Sequence, residues 1–190
     1  MTASISQAVG TAGFAKAGAG TLNLSTRNTY TGATAINDGA LVVSGSDLPG
    51  GSAVTLANVS GALLKLGAGE TFASLAGGGA TGGDVNLQGN TLTLTGATST
   101  AFAGVINGAS SSLVKNSSAN QTLTGNNSYT GLTDVQAGTL TTRRAGAHRR
   151  HGAGAGLRGT LAVTQSDTVG AVTLTSGTIS GAGTLTGASF

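Results

Sequence analysis

The chain contains no cysteine and no tryptophan, one proline, and only 3% aromatic and 8% charged residues in a length of 190. Without cysteine there is no disulfide and no thiol nucleophile, which also suits a chain that crosses an oxidising compartment unfolded. Scarce charge and scarce aromatic rings argue against a catalytic centre. No apolar run is long enough for a transmembrane helix. The opening "MTASISQAVG" lacks the basic start and apolar core of a signal peptide.

Small residues dominate what is present. There are 34 glycines, and glycine, alanine, serine and threonine together make up more than half of the chain. Disorder requires low hydrophobicity and high charge, whereas this chain is 38% hydrophobic with a mean hydropathy of +0.19. At 190 residues it is long enough for one domain with a real core. The composition therefore indicates a folded chain built from small side chains.

One phrase occurs twice at a constant displacement of 99 residues. "LSTRNTYTGATAINDGALVV" begins at residue 24 and "LTGNNSYTGLTDVQAGTLTT" at residue 123. A shorter period lies inside it, because the three lysines of the chain, Lys16, Lys65 and Lys115, are spaced 49 and 50 residues apart. The sequence thus consists of degenerate units of about 50 residues, and such a period is typical of repeat architectures.

Within each unit the pattern is strand and turn. Segments such as "TLNLS", "AVTL" and "TLTLT" alternate apolar residues with Thr, Ser or Asn, as half-buried strands do. Glycine and Asn/Asp clusters separate them and favour tight corners. No segment has a convincing helical period. The repetition favours a solenoid over a sandwich, barrel or propeller, because each unit can stack on its neighbours.

We therefore predict an all-β fold, a parallel β-helix of about 7–11 coils forming a rod on the order of 40 Å long. Residues 1–190 are expected to form a single domain. Its repeat units are placed near 14–62, 63–112, 113–142 and 160–190, with irregularity near 141–159. If the units stack with their faces in phase, each 50-residue period holds two coils of 25 or three of about 17 residues, and the sequence does not choose between them.

The segment 14–43 resembles the β-strand repeat of bacterial autotransporter passenger domains. The family pattern places Lys, Gly-x-Gly, Leu-x-Leu, Asn-x-Tyr-x-Gly and Asn-x-Gly-x-Leu in this order. The second copy keeps most of these positions without the Gly-x-Gly, and the middle copy lacks the Asn-x-Tyr-x-Gly. The residues taken as the repeat signature are Lys16, Asn28, Tyr30, Gly32, Gly39, Leu41, Lys65, Lys115, Asn127, Tyr129, Gly131, Gly138 and Leu140.

The resemblance implies a right-handed β-helix that is exported through an outer-membrane barrel and displayed at the bacterial cell surface or secreted. Signal peptide and barrel would then lie elsewhere in the full-length protein. The implied function is that of a non-catalytic, adhesin-like stalk, with the translocator barrel and surface molecules of host or neighbouring cells as partners. Neither nucleic-acid binding nor membrane insertion of this chain is expected. The alternatives are a β-helical polysaccharide-acting enzyme and a basic binding module.

The residues that could form a site each have a structural explanation as well. The five aspartates are scattered singly and Glu70 is the only glutamate, so we predict no catalytic, cofactor or metal site. Tyr30 and Tyr129 suggest either a carbohydrate-stacking face or, more simply, fold-stabilising side chains. Asn28 and Asn127 suggest a ladder on the solvent side. The three lysines are expected to project outward and oppose aggregation through sheet edges.

The segment 143–158 departs from the repeat. It holds five of the nine basic residues and both histidines, while the rest of the chain carries four basic and six acidic residues. Three interpretations stay open: a polyanion-binding patch, an exposed loop or insert, and an out-of-frame stretch between two compensating frameshifts. The candidate polyanion contacts are Arg143, Arg144, Arg149 and Arg150.

Overall fold

The computed structural model describes residues 5, 10–45, 48–142, 156–165, 167–169, 173–174 and 176–187. Every regular element within these ranges is a β-strand. The strands are β1 (Phe14–Lys16), β2 (Thr21–Leu24), β3 (Thr34–Ile36), β4 (Ala40–Val43), β5 (Ala53–Leu56), β6 (Leu63–Leu66), β7 (Glu70–Phe72), β8 (Ser74–Gly77), β9 (Asp84–Asn86), β10 (Thr91–Leu94), β11 (Thr100–Phe102), β12 (Ile106–Asn107), β13 (Ser112–Leu123), β14 (Thr133–Thr142), β15 (Gly156–Leu157), β16 (Thr160–Val163), β17 (Asp167–Val169), β18 (Thr173–Leu174), β19 (Thr178–Ser180) and β20 (Leu185–Gly187).

Sixteen of these twenty strands stack in parallel into three columns, which are the three sides of a solenoid; the other four form the parallel pairs β15-β18 and β17-β20. The first column runs β1-β3-β5-β8-β11-β13-β14-β16-β19, where β13 and β14 contribute their C-terminal halves. The second runs β2-β4-β6-β9-β12. The third consists of β7, β10 and the N-terminal halves of β13 and β14. The chain visits the columns in the order first, second, third, which confirms the predicted parallel β-solenoid.

One coil takes about 21 residues. Partners in the first column are separated by 20 residues at Phe14 and Thr34 and by 21 at Phe102 and Leu123. The extremes are 25 residues from Gly77 to Phe102 and 18 from Leu161 to Ile179. The nine levels of this column lie within the predicted range of coils. At the ~4.8 Å spacing of neighbouring strands, they span roughly 40 Å.

The core is a stack of inward-facing aliphatic and aromatic side chains. Most strands alternate in burial, as in β4, where Leu41 and Val43 are buried and Ala40 and Val42 are partly exposed. Leu41 stacks on Leu22 below and Leu64 above, because parallel strands in register bring equivalent positions together. The larger rings Phe72 and Phe102 are also fully buried. Alternation that the sequence shows locally thus becomes one continuous core.

The repeat unit is not a whole number of coils, which corrects the expectation of 25 or 17 residues per coil. Strands β1 and β3 of the first copy lie in the first column, whereas the matching segments of the second copy, 113–115 and 133–135, lie in the third. About 50 residues make seven sides of the solenoid, or two and one third coils. The in-phase assumption was wrong because all three sides accept the same pattern of strand and corner.

The segment 143–158 adds no residues to the ordinary separation of partners in the first column. Leu140 and Leu161 are partners in the first column, 21 residues apart, the same separation as Phe102 and Leu123. Residues 143–155 themselves lie outside the described part of the chain. The predicted boundaries of the repeat units and of the atypical segment stay predictions.

Candidate functional site

Lys16 lies at the corner between the first and second columns. Its side chain is 7% exposed, and its ammonium group donates to the carbonyl oxygens of Gly18 at 2.6 Å and Ala17 at 3.1 Å. It also donates to the carbonyl oxygen of Asp38 at 3.0 Å, on the same corner one coil later. One side chain therefore bridges two consecutive coils.

Lys115 repeats this arrangement in the second copy, on a different side of the solenoid. Its side chain is 2% exposed. The ammonium group donates to the carbonyl oxygen of Ser117 at 2.6 Å and to its hydroxyl oxygen at 2.7 Å. A third bond of 3.3 Å reaches the carbonyl oxygen of Ala137 in the next coil. The predicted outward orientation was therefore wrong for Lys16 and Lys115. Both lysines occupy inward-facing positions of their strands, next to a corner.

Lys65 behaves differently, and its spacing explains why. It comes 49 residues after Lys16 and lies between the buried Leu64 and Leu66, so it faces outward and is partly exposed. A shift of one residue moves a strand side chain to the opposite face. Leu66 occupies the inward position that Lys16 and Lys115 hold in the other copies. For Lys65 alone, the outward prediction agrees with the structure.

Asn90 bridges the corner of the middle copy instead. Its amide nitrogen donates to the carbonyl oxygen of Leu66 at 2.9 Å in the preceding coil and contacts that of Gln88 at 3.4 Å. Gln88 directly precedes Gly89, as Asp38 precedes Gly39 in the first copy. Sequence reasoning missed Asn90; the available signal was its position directly after the glycine of the repeat.

Gly39 and Gly138 make these corners possible. Their φ angles are 64° and 66°, in the left-handed region that favours glycine. A Cβ atom at Gly39 would collide with the carbonyl oxygens of Gly18 and Gly20 in the preceding coil. At Gly138 the colliding atoms would belong to Ser117 and Ala119. The two signature glycines are thus required by the approach of neighbouring coils.

Both signature tyrosines are core residues. Tyr30 and Tyr129 are each 1% exposed, and their hydroxyl groups bond to Thr34 at 2.6 Å and Thr133 at 2.8 Å. Burial raises the pKa of the Tyr30 hydroxyl; the bond to Thr34 opposes this shift, and the charge of Glu70 adds to it. Side chains this deeply buried cannot form the carbohydrate-stacking face, and the structural alternative is the one that agrees with their position.

Asn28 and Asn127 are also buried, at 1% exposure each. Their side-chain oxygens accept the backbone N–H groups of Ile5 at 2.6 Å and Ile106 at 2.8 Å. The predicted solvent-side ladder was therefore wrong, because these amides complete backbone hydrogen bonding inside the solenoid. Among the described residues, the amide nitrogen of Asn127 is the one buried side-chain nitrogen or oxygen atom without a hydrogen-bond partner.

Three of the described aspartates lie apart and accept hydrogen bonds from different partners. Asp38 accepts the N–H of Gly39, Asp84 accepts that of Val105 in the next coil, and Asp134 accepts the side-chain amide of Gln136. Within the described ranges, no three His, Cys, Asp or Glu residues are grouped as metal ligands. No helix there is long and apolar enough to cross a membrane. Each of these three carboxylates accepts a separate structural hydrogen bond.

One cavity of about 280 Å³ opens beside the third side of the solenoid. Its lining residues are Arg27, Leu48, Gly50, Gly69, Glu70 and Thr71. Glu70 is 4% exposed, whereas Arg27 is exposed. A single carboxylate beside a guanidinium group lacks the second acid that glycosidic hydrolysis uses. This geometry adds no support to the enzyme alternative.

The candidate polyanion contacts Arg143, Arg144, Arg149 and Arg150 lie outside the described residues, as do His148 and His151. Arg158, at the end of the same segment, is exposed, and its backbone N–H bonds to the carbonyl oxygen of Val135 at 3.0 Å. Binding of polyanions by this segment stays a prediction.

The comparisons with known proteins agree with the fold. Residues 14–43 and 113–141 match the passenger-associated transport repeat family. The chain is similar to the adhesin BmaC autotransporter of Brucella suis biovar 1, with 42% identity over 138 residues. The aligned part covers 70% of this chain and 4% of that relative. No solved structure matches the chain.

The family matches fall on the two copies of the signature described above, and the similarity to BmaC extends well beyond either copy. Both repeat copies place the same lysine, tyrosine and glycine in the same local geometry. Two stretches of the chain thus carry the passenger-associated transport repeat, and the chain is similar over most of its length to an autotransporter adhesin.

Proposed function

We propose that this chain is a non-catalytic stalk segment of an adhesin-type autotransporter passenger, exposed at the bacterial surface or released from it. The observation that carries the proposal is the burial of the repeat signature. The interior and the corners of the solenoid hold the signature tyrosines, asparagines and leucines and two of the three lysines. The repeated residues therefore specify how coils stack. This role supports a rod and does not require a catalytic site.

The comparisons support this function. The similar protein is described as an adhesin, and the chain corresponds to only 4% of its length. A segment of this size with a regular core serves as one part of a long rod. Its partners would be the translocator barrel during export and, once displayed, surface molecules of other cells.

Surface display tests the passenger role. The chain would be placed between an export signal and a translocator barrel, with an epitope tag at its N-terminal end. We expect the tag to be accessible on intact cells and the chain to resist added protease. A matched variant in which Leu41 and Leu140 are both replaced by aspartate should lose protease resistance, because both side chains are fully buried. Retention of the folded wild-type chain inside the cell would contradict the proposal.

Purified chain tests the non-catalytic role. Incubation with a panel of acidic and neutral polysaccharides should leave their chain length unchanged. If cleavage occurs and is abolished by Glu70→Gln, which alters the carboxylate of the cavity, the enzyme alternative is correct. Cell binding that persists after removal of this segment from a full-length passenger would agree with a stalk; loss of binding with intact display would place the adhesive surface here.

A further inference from the structure

The described corners contain a recurring bond pattern that neither the family match nor the proposed stalk role assigns. At each of three corners, one side chain donates to carbonyl oxygens of two consecutive coils. We call such a side chain a carbonyl latch. The latches are Lys16, Asn90 and Lys115. They lie at three different corners: first to second column, second to third, and third to first.

The need for a latch follows from the corner itself. Carbonyl groups at a corner leave the ladder of strand hydrogen bonds, and a buried carbonyl without a donor costs free energy. Neighbouring coils approach each other closely there, as the contacts around Gly39 and Gly138 show. A donor that reaches both coils satisfies carbonyls on each side of the junction. Because it needs both coils, the latch forms only once the neighbouring coil is in place.

We propose that the carbonyl latch couples consecutive coils into one cooperative unit and that ammonium and amide donors are interchangeable in this role. The exchange is visible within the chain. Where Leu66 replaces the lysine, Asn90 supplies the donor directly after the positive-φ Gly89. Where lysine is present, Ala40 and Thr139 stand at the position of Asn90. The proposal concerns how coils are joined, and it holds whether or not the chain serves as a stalk.

Three variants of the full chain test the coupling. Lys115→Leu removes a latch, and Lys65→Leu is its matched control because that lysine faces outward. Lys115→Leu with Thr139→Asn rebuilds the arrangement of the middle copy in the second copy. Hydrogen exchange of backbone amides would be followed by mass spectrometry for segments 112–123 and 133–142, together with urea unfolding.

We expect Lys115→Leu to raise exchange in both segments at least tenfold and to lower the urea midpoint, while Lys65→Leu matches wild type. The double variant should recover most of the protection. If Lys115→Leu fails to fold, the double variant must fold for the proposal to stand. Equal effects at positions 65 and 115, unchanged exchange in Lys115→Leu, or no recovery in the double variant would each overturn it.

Discussion

Backbone conformation at single residues decides whether a corner can close. Replacement of Gly39 or Gly138 by alanine should destabilise the chain by at least about 1–2 kcal/mol, because an L-residue is unfavourable at positive φ. The collision with carbonyl oxygens of the preceding coil adds to this cost. Urea unfolding measures the loss. Gly20→Ala is the matched control, since a Cβ atom there meets no neighbour within 4 Å, and a comparable loss at Gly20 would contradict the explanation.

The charge of a buried latch also has a consequence at the residue scale. Burial lowers the pKa of the Lys115 ammonium group below its usual 10.5. The folded chain therefore releases this proton at lower pH than the unfolded chain does. Between the lowered pKa and 10.5 the unfolded state binds more protons, so the contribution of Lys115 to stability rises with pH in that window. A neutral amine still donates hydrogen bonds, so the latch persists after deprotonation.

The pH effect is measured as a difference. The free energy of unfolding of wild type minus that of Lys115→Leu should increase as pH rises from 7 towards 10.5. Tyr30, whose raised pKa acts in the opposite direction, is present in both proteins and cancels. Asp134 on the adjacent strand is also common to both. A difference that falls with pH at position 115 would show that the sign is wrong.

At the scale of elements, the unit that can be removed is one coil. Deletion of residues 103–123 takes out one coil, because Phe102 and Leu123 are partners in the first column. Strand β14 then meets β10 and β11 in the register that β13 had. We expect a folded chain with a smaller urea m-value, since less surface is exposed on unfolding. Deletion of residues 103–112 alone breaks the register and should abolish cooperative unfolding; circular dichroism and urea titration distinguish the two.

Local alternation was enough to predict the strands and their stacking. Segments such as "TLTLT" and "AVTL" became β10 and β5 with the expected burial. The direction of the lysines was not predictable from their spacing of 49 and 50 residues, because a difference of one residue reverses a side chain. Asn90 was missed for a related reason: its role depends on Leu66, which is distant in sequence and adjacent only after the coil has formed.

The number of residues between the strand partners Leu140 and Leu161 bears on how the segment 143–158 arose. The separation of Leu140 and Leu161 is ordinary for this solenoid. Two compensating frameshifts alter residues while preserving length, whereas an inserted loop adds residues. The frameshift stays a hypothesis, and the coding DNA tests it. If the alternative reading frame of this segment does not encode a repeat-like sequence, the hypothesis is wrong.

For the whole molecule, the length of the repeat unit predicts how a shortened rod behaves. Deletion of residues 66–114 joins Lys65 to Lys115, so that Lys115 takes the inward position of Leu66 at an equivalent corner in a different column. The chain loses seven sides, so the rod should shorten by about 11 Å while its core stays continuous. Small-angle X-ray scattering measures this change. Loss of the folded state would show that the three sides are not interchangeable.

The phase of the repeat has a further consequence for a long passenger. Because each unit advances two and one third coils, the same feature of successive units turns by one third of a revolution around the rod. Three units, about 150 residues, restore the starting direction after seven coils. Such a chain behaves as a screw with threefold symmetry rather than as a ribbon with a front and a back. Anything carried on the repeat, including an adhesive group, would meet another cell from whichever side it approaches.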